Sequence, residues 1–497
     1  MTRPPPPLPH ERRRRIVFRI LIFGPLVLFL GLLVWHLLWR RDNAQALARL
    51  DAEARARGEP LTVEDLMATY PPVPDERNAY VALEAIWSLE DPPLWSAFRQ
   101  GARTLPRARK ESYDPALPVL GSAGAMSHTN ELSPKARDAA ARFLETKAAA
   151  LAALPAALQR PEFRAPIRMQ DGWNALLPHL EALRKTGAWL RIEAIVALDR
   201  GDLGRALSAT ETIAQLGHWL ERDPLILGQL VRVSLYDMVL TSTERVLAFG
   251  HPDDTQLQRL AALLETLKAH DGLKRAFLGE RVMVYHLFQA SPESALSAAE
   301  PPASEASNPG ELSDEESVRM TLRLLGSVGL RDADLRLIAE AFAECLVCAE
   351  QSDFAVRDDF QRIFERLEKK AREFPPKFMT RMLMPGLANA SDKFARLEAR
   401  RRAALAAVAL QSRRIRQPAL DGDSLTRLAA EMLAAAPPDP YTGQPLRFAA
   451  RPTGFLIYAL GSDRQDDAGT PRPSKYSGTN SPPFDVAFHV EAQATTP

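Results

Sequence analysis

The chain has 497 residues, a formal net charge of +1, and 25% charged against 46% hydrophobic residues. This balance excludes recognition of nucleic acid by global charge, and the apolar content excludes a wholly disordered chain. Aromatic residues make up only 7% while Ala, Leu and Arg are abundant, which favours helix; 40 prolines cut that helix into pieces.

Residues 1–15 hold the run Pro4–Pro7 and the cluster Arg12–Arg15, and read as an extended cytoplasmic tail. Residues 16–39, IVFRILIFGPLVLFLGLLVWHLLW, predict a transmembrane helix. Its length of about 36 Å exceeds the roughly 30 Å hydrocarbon core. Arg19 lies one turn inside and can snorkel, Gly24-Pro25 predicts a kink, and Trp35, His36 and Trp39 suit an interfacial belt. Arg3, Arg12–Arg15 and Arg19 outweigh Arg40 and Arg41, so the body is expected outside the cytoplasm. No small-x-small site follows Trp39, so an uncleaved anchor is expected rather than a signal peptide.

Residues 42–290 are expected to form an α-helical domain. Asp42–Arg57 continues the anchor as polar helix until Gly58. Thr62 with Asp65 predicts a capping box, and Asn78 opens a helix with Tyr80, Leu83 and Trp87 on one face. The Pro/Gly/Ser-rich stretch 91–132 reads as loop, and 134–159 as one helix. From Leu176 to Gly250 three helices are expected, with a turn at Asp199–Asp202 and a new start at Asp223-Pro224. That turn is similar to a tetratricopeptide-type hairpin, although no 34-residue period repeats; the expectation is a TPR-like hairpin bundle. Residues 271–289 add one more helix.

Residues 291–316 are acidic, Ser/Pro/Ala-rich and free of aromatics, the composition of a disordered linker. A helical continuation is expected over 317–404, including helices within 318–373 and a long basic one over 391–416. Cys345 and Cys348 form a C-x-x-C inside helical sequence without a second ligand pair, so they read as two buried thiols. Arg400–Arg402 reads as a solvated helix face. Beyond Pro437 the segments LRFAA, GFLIYALG and FDVAFHVE alternate like strands.

No catalytic or cofactor motif stands out. Gly422-Asp423-Ser424-Leu425 spells the first block of GDSL esterases but lacks a downstream Asp-x-x-His, so Ser424 is expected as a helix N-cap. The nine histidines are scattered, with no ligand pair. Glu280 and Arg281 are expected as a buried ion pair. Glu280 with His286 supports only the alternative of an envelope enzyme in the helical domain.

Asp439-Pro440, Gly443-Gln444-Pro445, Tyr458-Ala459-Leu460-Gly461-Ser462-Asp463 and Asp485-Val486 resemble the C-terminal region of the major pseudopilins of type II secretion, over about 60 residues. The resemblance implies that 405–497 is a helix with a small antiparallel β-module packed on it. It also implies calcium in the loop, with Ser462, Asp463, Asp466, Asp467 and Asp485 as oxygen donors. Two departures stand against a filament subunit. His10-Glu11-Arg12-Arg13-Arg14-Arg15 replaces the processing site, and about 400 residues separate span from β-module. The whole chain is also similar to a group of bacterial single-pass membrane proteins with no attached activity, through GEPLT after the anchor, Leu227-Gly228-Gln229-Leu230-Val231-Arg232, and the tail.

The resulting expectation is a mainly α protein of the inner (cytoplasmic) membrane, with its body extracytoplasmic. Its role would be scaffolding or protein interaction, linked to type II secretion or envelope assembly, and not catalysis. Its expected partners are the lipid bilayer and other membrane or envelope proteins, not nucleic acid. No cofactor is expected apart from calcium.

Overall fold

The computed structural model describes residues 9–102, 104–106, 113–120, 128–289, 330–350, 355–373, 377–418, 422–470 and 484–492. The expected linker 291–316 lies outside them.

Helix α1 runs unbroken from Pro9 to Ala56 and includes Pro25. Apolar side chains from Phe23 to Leu38 are exposed, among them Leu26, Val27, Leu30, Leu33 and Trp35. The described helix from Phe23 to Ala56 is long enough, and apolar enough over an 18-residue stretch, to cross a membrane, and none of that stretch is buried in the body. Trp35 stacks on Trp39 with ring centroids 6.2 Å apart. Past Trp39 the same helix changes surroundings. Ala54 is buried, and Leu47 and Leu50 pack with it against Leu61, Tyr285 and Ala339.

The body begins with α2 (Val63–Thr69) and α3 (Ala79–Glu90). Thr62 and Asp65 form the expected capping box, and Asn78 Oδ1 caps Tyr80 N–H. The 91–132 stretch is not all loop: α4 spans Pro92–Arg99, with Asp91 as N-cap and Pro at its first position, where a missing N–H costs nothing. The 134–159 helix is in fact two, α5 (Pro134–Thr146) and α6 (Ala148–Leu158), divided at Lys147. A 3-10 turn (Met169–Asn174) takes Leu176 and Leu177 out of the expected helix, and α7 starts at Pro178 and ends at Asp199.

Helices α8 (Leu203–His218) and α9 (Ile226–Phe249) complete the central layer. The corner before α9 is built by polar side chains. Gln229 Nε2 donates to the carbonyls of Leu220 (2.9 Å) and Asp223 (2.7 Å). Arg232 Nη2 donates to Lys268 O at 2.6 Å. Two glycines admit this corner. A Cβ on Gly228 would lie 2.2 Å from the Asp223 carboxylate, and one on Gly279 would lie 1.8 Å from Pro224 O. Helix α9 is buried over most of its surface, with Val233, Tyr236, Val239, Leu240 and Val246 in the core, while Leu227 and Asp237 reach solvent.

Helices α11 (His270–Gln289) and α14 (Phe378–Arg416) pack on α9, and α10 (Asp254–Thr266), α12 (Leu330–Glu350) and α13 (Ala355–Arg372) pack in turn on those. Helix α14 starts well before the expected residue 391, so a boundary between 404 and 405 falls within one helix. Helix α15 (Gly422–Ala435) follows. Ser424 is its third residue rather than the residue before it, so it lies inside the first turn.

The three expected strands are present: β1 (Arg447–Arg451), β2 (Gly454–Ala459) and β3 (Val486–Glu491). They form an antiparallel sheet in the order β1-β2-β3, with Ile457 opposite Phe448 on one side and Phe488 on the other. The strand period of two sorts its faces. Phe455, Ile457, Val486, Phe488 and Val490 join the helical core against α14, while Leu456, Tyr458, Leu460 and Ala487 form a separate outer cluster.

Candidate functional site

Four groups of side chains can be weighed: the acidic loop, the C-x-x-C pair, the surroundings of Glu280, and the seam between helices and sheet.

In the acidic loop, Asp466 is committed to structure. It pairs with Arg447 and accepts from Tyr458 Oη at 3.0 Å. Burial raises its carboxyl, but the Ala468 N–H, Tyr458 and Arg447 outweigh that and hold it low. Asp485 is buried, and its Oδ2 accepts the N–H groups of Asp467 (3.0 Å) and Gly469 (2.8 Å), pinning the loop to β3. Burial pushes its carboxyl up against the pull of those two N–H groups, and the nearby Asp466 and Asp467 add to the rise. Asp463 Oδ1 accepts from Gln465 N–H at 3.1 Å. Asp439 does for the preceding turn what Asp485 does here: its carboxylate accepts from Tyr441 N (2.7 Å), Thr442 Oγ1 (3.1 Å) and Leu460 N (2.9 Å). Asp439, Asp463, Asp466 and Asp485 therefore act as turn latches, while Asp467 takes part through its backbone.

Cys345 and Cys348 are free, buried thiols on α12, and burial pushes both thiols up, away from the reactive thiolate.

The expected Glu280–Arg281 ion pair does not form. Arg281 turns the other way, to Glu59 Oε2 (2.6 Å) and Pro60 O (2.9 Å). Neighbours on a helix point about 100° apart, so the two side chains reach different layers. Glu280 instead faces a cavity of about 460 Å³ lined by Leu225, Ile226, Leu230, Met283 and Phe342. Its Oε1 accepts Ile226 N–H at 3.2 Å. Burial pushes its carboxyl up to about 7, only partly opposed by that N–H. His286 donates to Gln170 O at 3.1 Å and serves a different neighbour.

At the seam, the expected solvated face Arg400–Arg402 is enclosed. Arg400 bridges Asp237 (2.6 Å) and Glu244 (2.6 Å) on α9, and its side chain is 14% exposed. Arg401 holds Glu398 (2.8 Å), and Arg402 reaches Glu398 (2.6 Å) and Pro438 O (2.7 Å). Periodicity cannot see acids supplied by another helix. Glu244 also accepts the backbone N–H of His489 at 3.0 Å, closing an edge of the sheet.

His489 and Glu491 share one face of β3, and the segment before α5 brings His128 beside them. His128 Nε2 lies 2.9 Å from Glu491 Oε2, and His489 Nδ1 lies 3.7 Å from the same oxygen. The two imidazole centroids are 4.6 Å apart. Burial, and then the adjacent His128, push His489 down to about 4. Arg245 Nη1 donates to Asn130 O at 2.9 Å and so fixes the segment that carries His128. The scattered histidines of the sequence thus include a close pair, joined to a glutamate 363 residues from the first of them. No local spacing could have revealed it.

Comparison with protein-family models, curated proteins and solved structures gives no match.

Proposed function

We propose that this chain is a single-pass membrane-anchored scaffold whose folded body stands outside the cytoplasm and docks other envelope proteins. One observation carries the reading: the anchor helix passes without a break into the body and is clamped there. Arg336 Nη1 reaches Asp42 Oδ2 at 2.6 Å, and Tyr285 Oη donates to Asp51 Oδ1 at 3.2 Å. Buried Glu59 joins Arg57 and Arg281, both at 2.6 Å. Burial raises the Glu59 carboxyl, but those two guanidiniums hold it low and charged. A body fixed to its anchor presents one constant face at one height above the bilayer, which suits assembly. The N-terminal excess of arginine supports the orientation. The α7–α8 hairpin, read as TPR-like, supplies the docking surface in this account. The tail's resemblance to the major pseudopilins makes secretion-machinery components the first partners to seek.

Cross-linking the intact chain in native membranes, with identification by mass spectrometry, tests the reading. Recovery of secretion or envelope-assembly components supports it, and recovery of the chain alone argues against it.

A second reading rests on Glu280. A carboxyl raised to about 7 in an apolar cavity suits either proton transfer or binding of an apolar ligand with a polar head. Loss of a bound ligand from purified Glu280→Ala, with retention by wild type, would favour it over the scaffold.

A further inference from the structure

We propose that His128, His489 and Glu491 form a binding site for a divalent transition-metal ion of the zinc class, which clips the last strand to the segment before α5. Among the described residues this is the one group of three such side chains whose donor atoms all lie within 4.8 Å of one another. A tetrahedral ion with bonds of about 2.0–2.1 Å sets its donor atoms roughly 3.3 Å apart. The observed separations of 2.9 and 3.7 Å from Glu491 Oε2 bracket that value. The third separation, between the two imidazole donors, lies within 4.8 Å, so the side chains must close on the ion to seat it. The three side chains are 14%, 15% and 18% exposed, so they are sheltered yet open to entry.

The donors are also prepared for a metal. A carboxylate only accepts, so His128 Nε2 carries the proton in the metal-free contact; to bind the ion the neutral ring shifts that proton to Nδ1 and frees Nε2. His489 Nδ1 is buried with no hydrogen-bond partner, an acceptor position left open. Two imidazoles and one carboxylate leave a fourth position for water, the donor set of an open zinc site. The surroundings sharpen the class of ion. Arg191 and Arg245 line the small cavity behind His128, and the positive fields of Arg400 and Arg451 reach His489. Arg400 is neutralised by Asp237 and Glu244. In such a field a hard cation gathers no net attraction, so calcium and magnesium are disfavoured. An ion that bonds strongly to imidazole is favoured, as are Zn²⁺, Co²⁺, Ni²⁺ and Cu²⁺.

The ion would join residues 363 positions apart. It would act on the same sheet edge that Glu244 holds through His489 N–H. This inference does not depend on the scaffold reading: the site can exist whatever the body docks.

The test uses the full chain in detergent micelles, without a histidine tag. Co²⁺ is titrated first and followed by its visible ligand-field absorption, then displaced with Zn²⁺. The proposal expects one ion per chain with the intense spectrum of a tetrahedral nitrogen/oxygen site. It expects Zn²⁺ to raise the melting midpoint, and chelator to reverse that rise. His128→Gln and Glu491→Gln each should lower Zn²⁺ affinity by more than about 100-fold, since even outer-shell changes cost 10–100-fold. Glu491→Gln keeps the shape and a hydrogen-bond acceptor, so its metal-free melting should match wild type. If either variant fails to fold, the wild-type Co²⁺ spectrum decides alone. A weak octahedral spectrum, the absence of stoichiometric binding, or binding unchanged in both variants would overturn the site; the last would place the ion on other histidines.

Discussion

Glu244 accepts the backbone N–H of His489 at 3.0 Å through Oε1, while its Oε2 receives Arg400 Nη2 at 2.6 Å. One carboxylate on the central helix α9 therefore holds both the long helix α14 and the edge strand β3. The sheet is bound to the helical core by this polar joint as well as by Phe455, Phe488 and Val490.

Removing the cation from that joint leaves the Glu244 carboxylate, 5% exposed, without its charged partner and with only the His489 N–H. Arg400→Ala should cost about 3–5 kcal/mol, the usual penalty for an uncompensated buried charge. Thermal melting in micelles would show the loss, and hydrogen exchange at His489 should quicken with it. Arg400→Lys should recover only part, because an ammonium cannot reproduce the two-armed geometry. Unchanged stability in Arg400→Ala would mean that the joint is ornamental.

Glu280 makes stability depend on pH in a defined direction. Its folded carboxyl titrates near 7 and its unfolded one near 4.5. Between those values the folded state binds the extra proton. The contribution is therefore complete below about 4.5 and is lost as pH rises through 7, on the order of 3 kcal/mol at most. Glu280→Gln should remove this dependence and stabilise the protein at pH 8, while still accepting Ile226 N–H. Melting curves at pH 5 and pH 8 check it; the same pH dependence in wild type and in Glu280→Gln would contradict it.

The clamp on α1 predicts a fixed angle between anchor and body. Spin labels at Arg49 on α1 and Val347 on α12 should report one narrow distance distribution in nanodiscs. Leu50→Asp, which puts a charge into the cluster of Ala54, Leu61 and Tyr285, should broaden it. A broad wild-type distribution would show that the anchor swings freely.

Calcium in the acidic loop must compete with Arg447 for Asp466. If the ion binds as the resemblance implies, calcium should raise the melting midpoint and Arg447→Ala should enlarge the rise. Identical midpoints with calcium and with chelator, in both proteins, would remove calcium from the account.

Local signals in the chain were readable where local physics sets the outcome. The Thr62–Asp65 capping box, the Asn78 cap, the Gly58 stop and the three β-strands all depend on residues within a few positions of one another. Helix α4 was hidden because Pro92 and Pro93 read as breakers, although Asp91 places them at the first turn, where proline is tolerated. The arginine run 400–402 was misread because its acids come from Asp237 and Glu244 on α9, Glu265 on α10 and Glu398 one turn back on α14. The same limit hid the close pair His128 and His489, which only the packing of β3 against the body brings together. Glu280 and Arg281 show the limit at its shortest range: adjacent in sequence, they serve separate layers.

In the proposed topology the body stands outside the cytoplasm, fixed to a single membrane helix. A paired reporter at the C-terminus tests it most directly: alkaline phosphatase, active only outside the cytoplasm, against a fluorescent protein that matures only inside it. The account predicts phosphatase activity and no fluorescence from the full chain. Fluorescence without phosphatase activity would place the body inside the cytoplasm and contradict it.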